Sequence, residues 1–213
     1  MKRNHKIFRI DKFPMDLGRF FLMALIPFYR IKKIYLGDKQ KIKNIKDGAI
    51  IAANHSGFSD PMVLETAFWY KRVHYVVGEI AMEGKVKAAF MRAAGCIRID
   101  RNATDIKAIK QCVQVLKEGF FLEMFPQGAI LGDNAGFKSG VMLIATQADV
   151  PVIPMFIVKR KNIFQRYKLV IGDPFYWKDY CDKKRPGMKD MERMTALLEE
   201  RYNECKAWIS KQN

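Results

Sequence analysis

From residue 48 onward, short apolar runs alternate with longer segments whose apolar residues recur at helical spacing. "GAIIAANH" (48–55) is a continuous apolar run and predicts a buried strand. "DPMVLETAFWYKR" (60–72) predicts a helix with Asp60 as N-cap and Pro61 at the first helical position. "RVHYVVGE" (72–79), rich in β-branched and aromatic residues, predicts a second strand. A helix over 84–95, closed by Gly95, and a short strand "CIRID" (96–100) follow. Residues 104–119 form an amphipathic helix with Ile106, Ile109, Val113 and Leu116 on one face, ended by Gly119. Then come a strand "FFLEMFP" (120–126), a helix over 138–149, and a strand "VPVIPMFIV" (150–158). The prolines of that strand predict a place near a sheet edge. A further strand over 167–175 and a long helix over 188–211 complete the chain. The last helix turns Met191, Met194, Leu198, Cys205 and Trp208 or Ile209 inward. Strands alternating with helices, the strands apolar throughout, define an α/β fold: a layered central β-sheet flanked by helices.

The first 47 residues break this pattern and divide the chain into an N-terminal segment (1–47) and a main domain (48–213). "FFLMALIPFY" (20–29) is apolar on every side, but as a helix it covers only about 15 Å, half of a ~30 Å hydrocarbon core. Pro27 interrupts it. Arg19 and Arg30 bracket the run, with Lys32 and Lys33 close behind. Such a helix either lies in a membrane interface, its cations reaching headgroup phosphates, or packs on the domain's own core. The basic start carries no apolar core with a small-residue exit, which speaks against a cleavable signal.

Charge adds to the picture. The 213 residues hold 38 Lys+Arg against 22 Asp+Glu, a net +16. Residues 1–48 alone carry 13 Lys/Arg and 4 Asp/Glu. A surplus this concentrated fits a polyanionic partner, either an anionic membrane surface or nucleic acid. Zinc-finger spacing and RNP aromatics are not present in the sequence, and no helix-turn-helix is evident, so no nucleic-acid partner is expected. The four cysteines have no CxxC pair, which argues against zinc or a disulfide framework and for a reducing compartment.

The chemistry concentrates in "NHSGFSDP" (54–61). His55 closes the predicted strand, and Asp60 follows five residues later across a Ser–Gly turn. A neutral imidazole takes a proton on one nitrogen while the other keeps its own. A carboxylate holding that second N–H would orient the ring and stabilise the imidazolium. This is a base with its orienter but no nucleophile of its own, so the nucleophile would be a hydroxyl of the substrate. The plain alternative is an Asp cap before Pro61 and a histidine in a surface turn. No third histidine or carboxylate lies nearby at metal-ligand spacing, so no metal is expected, and no GxSxG elbow occurs.

"NHSGFSDP" resembles the NHxxxxD motif of the glycerolipid acyltransferases of the 1-acylglycerol-3-phosphate acyltransferase type. Three further segments match in order: "GCIRIDR" (95–101), "FPQGAI" (125–130) where the family has FPEGTR, and "VPVIPM" (150–155). "FKSG" (137–140) also fits the family's spacing. The resemblance runs from about Ile50 to Met155, roughly half the chain. It implies the glycerolipid acyltransferase fold and a transferase of phospholipid biosynthesis. His55, paired with Asp60, would deprotonate an acceptor hydroxyl, which attacks the thioester of acyl-CoA or acyl carrier protein. No cofactor beyond that co-substrate is implied. Arg101, with Arg98 and Lys138, would hold the acceptor's phosphate, and Gln127 and Gly128 would line the substrate site. It also turns the N-terminal reading toward an interfacial helical segment and a monotopic, membrane-associated protein on the cytoplasmic face, in contact with membrane lipids.

The third motif departs from the family. Gln127 stands for Glu, Ala129 for Thr and Ile130 for Arg. Gln keeps an acceptor oxygen but loses the charge, and Ile130 removes a phosphate-clamping guanidinium. A non-phosphorylated acceptor, such as a glycolipid or aminolipid, is therefore the alternative to 1-acylglycerol-3-phosphate. A non-catalytic lipid-binding protein is a further one, against which the retained His55 and Asp60 argue.

Overall fold

The computed structural model describes residues 13–24, 29–55, 57, 59–100, 105–127, 137–162 and 164–211. The side chains of Arg19 and of residues 21–28, which include most of the apolar run, lie outside this description. The helices are α1 (Phe13–Ala24), α2 (Lys39–Lys43), α3 (Asp60–Ala67), α4 (Lys85–Ala93), α5 (Ile106–Lys117), α6 (Gly140–Ala148) and α7 (Met188–Ser210). The strands are β1 (Lys32–Tyr35), β2 (Ala49–Ala53), β3 (Val73–Gly78), β4 (Cys96–Ile99), β5 (Phe121–Met124), β6 (Val152–Val158) and β7 (Lys168–Ile171). They form one sheet in the order β1-β7-β6-β2-β5-β3-β4, parallel except where β6 meets β7.

Strand β2 is buried along its whole length, as its unbroken apolar run requires of a central parallel strand. Alternate residues feed two cores. Ile50 and Ala52 join Leu122, Met124 and Val152 beneath α5, α6 and α7. Ile51 and Ala53 join Phe121, Ile153, Met155 and Ile157 against Val63, Leu64 and Phe68 at the other face. Burying each of these isoleucines contributes about 1.5–3 kcal/mol. Residues 32–45 share in this domain: β1 pairs with β7, and Ile42 and Ile45 are buried in the second core. Helix α1 docks through buried Met15 and a two-pronged pair in which Arg72 donates to both Asp16 oxygens at 2.8 Å. Its Phe13, Leu17 and Phe20 are exposed.

Three expectations change. Strand β6 lies between β7 and β2 rather than at an edge. Pro154 is tolerated there because its missing N–H faces the end of the β7 ladder. Its carbonyl still accepts from Gly172 at 2.9 Å, and the regular β6–β7 register begins at Met155. The buried stripe of α5 runs through Ala108, Cys112 and Leu116, with Ile109 and Val113 beside it, and Ile106 is exposed. The inward face of α7 is Met194, Leu198, Tyr202 and Cys205, with Met191 partly buried.

Because β2, β3, β4, β5 and β6 run the same way, the segments that follow them open at one end of the sheet. Ligands of open α/β sheets sit at that carboxyl end.

Candidate active site

The turn after β2 begins with a side chain, not a loop. The Asn54 amide donates to the Ile157 carbonyl at 3.1 Å, and its oxygen accepts from the Ile157 N–H at 2.6 Å. The pair extends the β2–β6 ladder one step past the backbone. Asn54 is itself buried, so His55 leaves the sheet from a fixed point.

His55 Nδ1 lies 3.3 Å from Asp60 Oδ2, and the same oxygen accepts the Gly57 N–H at 2.7 Å. The Asp60 side chain is fully buried and that of His55 is 15% exposed. The ring stacks on Phe125, centroids 4.1 Å apart and planes at 16°. Stacking fixes the plane and the carboxylate fixes the rotation, so Nδ1–H donates to Asp60 and Nε2 is the nitrogen left to accept a proton. The expected N-cap is displaced by one residue. Ser59 occupies that position without a side-chain capping bond, and Asp60 is already helical. The Asp60 carboxylate turns back to the Gly57 amide and the histidine instead of capping α3.

A second set of acids lies behind this pair. Glu123 on β5 is buried, next to Tyr75 and Ile51 in the strand register. Neither of its oxygens has a hydrogen-bond partner among the described residues. Burial first, then Glu65 and Asp60, pushes the Glu123 carboxyl well above the usual carboxylate range. The Tyr75 hydroxyl donates to Glu65 and is itself held well above the ordinary phenol value, by burial first and then by Glu65 and Glu123. Carboxylates that share one interior resist ionising together.

The other expected site residues divide. Gln127 lies in the turn three residues past the end of β5, and the Lys138 amide donates to the Pro126 carbonyl at 3.2 Å, so both backbones come near the end of β5, close to Phe125. Arg98 lies on β4, three strands from β2, and is ion-paired with Glu79 at 2.8 Å. Arg101, Gly128, Ala129 and Ile130 lie outside the described residues. Sequence reasoning missed Asn54, Phe125, Glu123 and Lys159. The Lys159 ammonium lies 2.9 Å from where a β-carbon on Gly57 would stand. Asn54 and Phe125 carried a local signal, a polar and an aromatic residue at strand ends. Glu123, an acid inside an apolar run, carried one too. Lys159 had none, because its place depends on β6 lying against β2.

The family model described as Acyltransferase matches residues 33–158. A 1-acyl-sn-glycerol-3-phosphate acyltransferase of Bacillus subtilis is 26% identical over 162 residues, covering 74% of this chain and 80% of that protein. A probable 1-acyl-sn-glycerol-3-phosphate acyltransferase of Mycoplasma genitalium is 32% identical over 120 residues, covering 53% of this chain and 45% of its own. The crystal structure of the 1-acyl-sn-glycerophosphate acyltransferase of Thermotoga maritima superposes with a TM-score of 0.60 at 18% identity, over 92% of this chain and 81% of that one. That likeness shows the same fold. The matched span starts within β1 and stops at the last residue of β6, and so takes in the whole His55–Asp60 turn. The chain belongs to the acyltransferase family.

Proposed function

We propose that the protein transfers a fatty acyl chain from a thioester, acyl-CoA or acyl carrier protein, to the free hydroxyl of a lysophospholipid such as 1-acylglycerol-3-phosphate. The observation that carries this reading is the buried, ring-stacked His55–Asp60 pair at the carboxyl end of the sheet. His55 Nε2 removes the hydroxyl proton as the oxygen attacks the thioester carbonyl. Asp60 holds Nδ1–H and stabilises the imidazolium. When the carbon–sulfur bond breaks, the imidazolium returns the proton to the departing thiolate, giving the ester and the free thiol carrier. A positioned base of this kind contributes about 10²–10⁴ in rate. The acceptor class is taken from the names of the relatives.

The same reading places the protein on a membrane surface, at the cytoplasmic face. Phe13, Leu17 and Phe20 share one exposed face of α1, while Met15 is buried on the opposite side and Asp16, at the edge of the exposed face, holds Arg72. No helix among the described residues is long and apolar enough to cross a membrane.

A second reading, an acceptor without phosphate, is favoured by Gln127 and Ile130 in the third motif. One experiment separates the two. The protein is incubated with labelled acyl-CoA and lipid alcohols with and without a phosphate, and the products are identified by mass. The expected product is diacylated glycerol phosphate, lost in a folded His55→Ala variant. Undiminished turnover by that variant overturns the mechanism. A product formed only on uncharged acceptors overturns the choice of acceptor.

A further inference from the structure

The turn between β6 and β7 holds a large apolar side chain out in solvent. Phe164 is 80% exposed, yet the turn that carries it is firmly built. The Asn162 side-chain oxygen accepts the N–H groups of Phe164 and Gln165, each at 3.1 Å. The Gln165 side chain accepts the Lys161 N–H at 2.9 Å. The Arg30 guanidinium reaches across to donate to the Phe164 carbonyl at 3.1 Å. The turn closes through these polar groups, so its shape does not depend on an apolar residue at 164. A lone exposed apolar residue is ordinary on a protein surface, and its company and position decide its meaning.

The company is cationic. Lys159, Arg160, Lys161, Arg166 and Lys168 share the turn, with Arg30 alongside, and residues 29–35 and 158–171 contain no Asp or Glu. Lys161 and Arg166, on either side of Phe164, are exposed. The position is the carboxyl end of the sheet. Strand β6 runs parallel to β2 and β7 antiparallel to β6, so the turn between them stands at the end where His55 leaves β2. It also touches the catalytic turn. The Lys159 ammonium reaches Gly57, and the Tyr167 hydroxyl lies 3.4 Å from Ser59 Oγ. On the other side of β2, beyond β5, the segment that follows β3 carries Ile80, 79% exposed. Two apolar points therefore flank the His55 turn, one on each side.

We propose that the β6–β7 turn is a membrane-contact tip, with Phe164 entering the boundary between headgroups and acyl chains of an anionic bilayer and the cations beside it engaging the surrounding lipid. The inference rests on the membrane reading above and adds an orientation to it: the carboxyl end of the sheet, with His55, faces the lipid. An apolar side chain set among cations is the combination that an anionic interface rewards, through apolar burial and through attraction to its surface charge. A planar surface meets Phe164 and Ile80 together and closes over the turn between them. A nucleic acid stacks on an aromatic ring but offers nothing to an exposed isoleucine. Docked this way, a long-chain acceptor and its product pass between bilayer and site without crossing water.

The test floats the full chain with vesicles of phosphatidylcholine, alone or mixed with phosphatidylglycerol. Beside it run Phe164→Ser, a double variant Lys161→Gln with Arg166→Gln, and Met188→Ser, each checked for an unchanged unfolding midpoint. Met188, 67% exposed at the start of α7, is the control. Arg193 of that helix donates to the Tyr180 carbonyl, and Tyr180 stacks on Phe175, which bridges to Val152 at the start of β6, the opposite end of the sheet. Phe164→Ser lowers partition onto mixed vesicles about tenfold. The charge variant lowers it about five- to twentyfold, and only on mixed vesicles. Met188→Ser leaves it unchanged. Turnover of an acceptor presented in vesicles falls with Phe164→Ser, while a short-chain, water-soluble acceptor is used as by the wild type. Phe164→Trp adds a fluorescence that brominated lipids quench beyond the quenching of the wild type. Undiminished vesicle binding by Phe164→Ser, or no added quenching in Phe164→Trp, overturns the tip and leaves the membrane reading to α1. A wild type that binds neither kind of vesicle overturns both. An equal loss in Met188→Ser overturns the tip as well, because any exposed apolar residue would then count. Retention on RNA or duplex DNA through Lys161 and Arg166, without vesicle binding, overturns it in favour of a nucleic-acid contact.

Discussion

An ion pair and a histidine–carboxylate hydrogen bond stand at the carboxyl end of the sheet, and the shorter of the two matters less. Arg98 and Glu79 meet at 2.8 Å with side chains 56% and 51% exposed. His55 and Asp60 meet at 3.3 Å with 15% and 0% exposed. The first pair trades one solvated partner for another, in a medium where charges are screened. The second is locked on every side: Asp60 by the Gly57 amide, His55 by the Phe125 ring, and the turn by Asn54. Its value lies in orientation that water cannot scramble. Burial and surrounding partners, more than separation, distinguish a positioned pair from a surface contact.

The strongest way to break the contrast is Asp60→Asn. An amide cannot hold Nδ1–H and stabilise an imidazolium as a carboxylate does, so kcat falls about 10²–10⁴-fold. Steady-state turnover at saturating acceptor reads this directly, and a drop below tenfold would demote Asp60 to a structural role. Next is Asn54→Leu, which leaves the buried N–H and C=O of Ile157 without their partners. The expected cost is about 2–4 kcal/mol, seen as a lower urea midpoint with an unchanged slope. Wild-type stability in that variant would mean the clasp is dispensable.

Glu123 sharpens the comparison through pH. Its folded-state carboxyl titrates above its ordinary value of 4.5. The folded protein thus keeps a proton that the unfolded chain has released. The associated stability is whole below that ordinary value and declines as pH rises toward the folded value, by up to about 1.4 kcal/mol per pH unit. Glu123→Gln removes this slope, so its advantage over the wild type grows from about pH 4.5 upward. A difference that stays flat across that range would show that Glu123 is not held protonated. The smallest effect belongs to the exposed pair. A double-mutant cycle with Arg98→Met and Glu79→Gln should give a coupling of about 0.5 kcal/mol or less, vanishing in high salt. A coupling above about 2 kcal/mol would erase the contrast.

Local pattern carried much of the architecture. The run "AIIAA" announced β2 because a strand buried on both faces has no other composition open to it. His55 and Asp60 were legible because their spacing is local. What escaped was set by neighbours distant in sequence. Pro154 read as an edge residue because the chain does not say which way its missing N–H faces. Ile106 read as core because helical spacing marks an apolar stripe without saying which edge of it meets the sheet. In α5 the small Ala108 and Cys112 make the approach, and Ile106 is left outside. Asn54 was in view, yet its partner stands 103 residues away. Lys159 was silent for the same reason.

That clasp between Asn54 and Ile157 has a consequence for how the protein is made. Strand β2 finds its neighbours only in β5 and β6, and β1 waits for β7. During synthesis the first two strands emerge with no sheet to join. The His55 turn cannot be fixed until residue 157 has left the ribosome, so every shorter nascent chain is inactive, whatever donor and acceptor surround it. The apolar strand "AIIAA" must remain unpaired until β5 has emerged, and paired on one side only until β6 has. Such late, distant pairing slows folding and exposes the chain to aggregation before it exposes it to substrate.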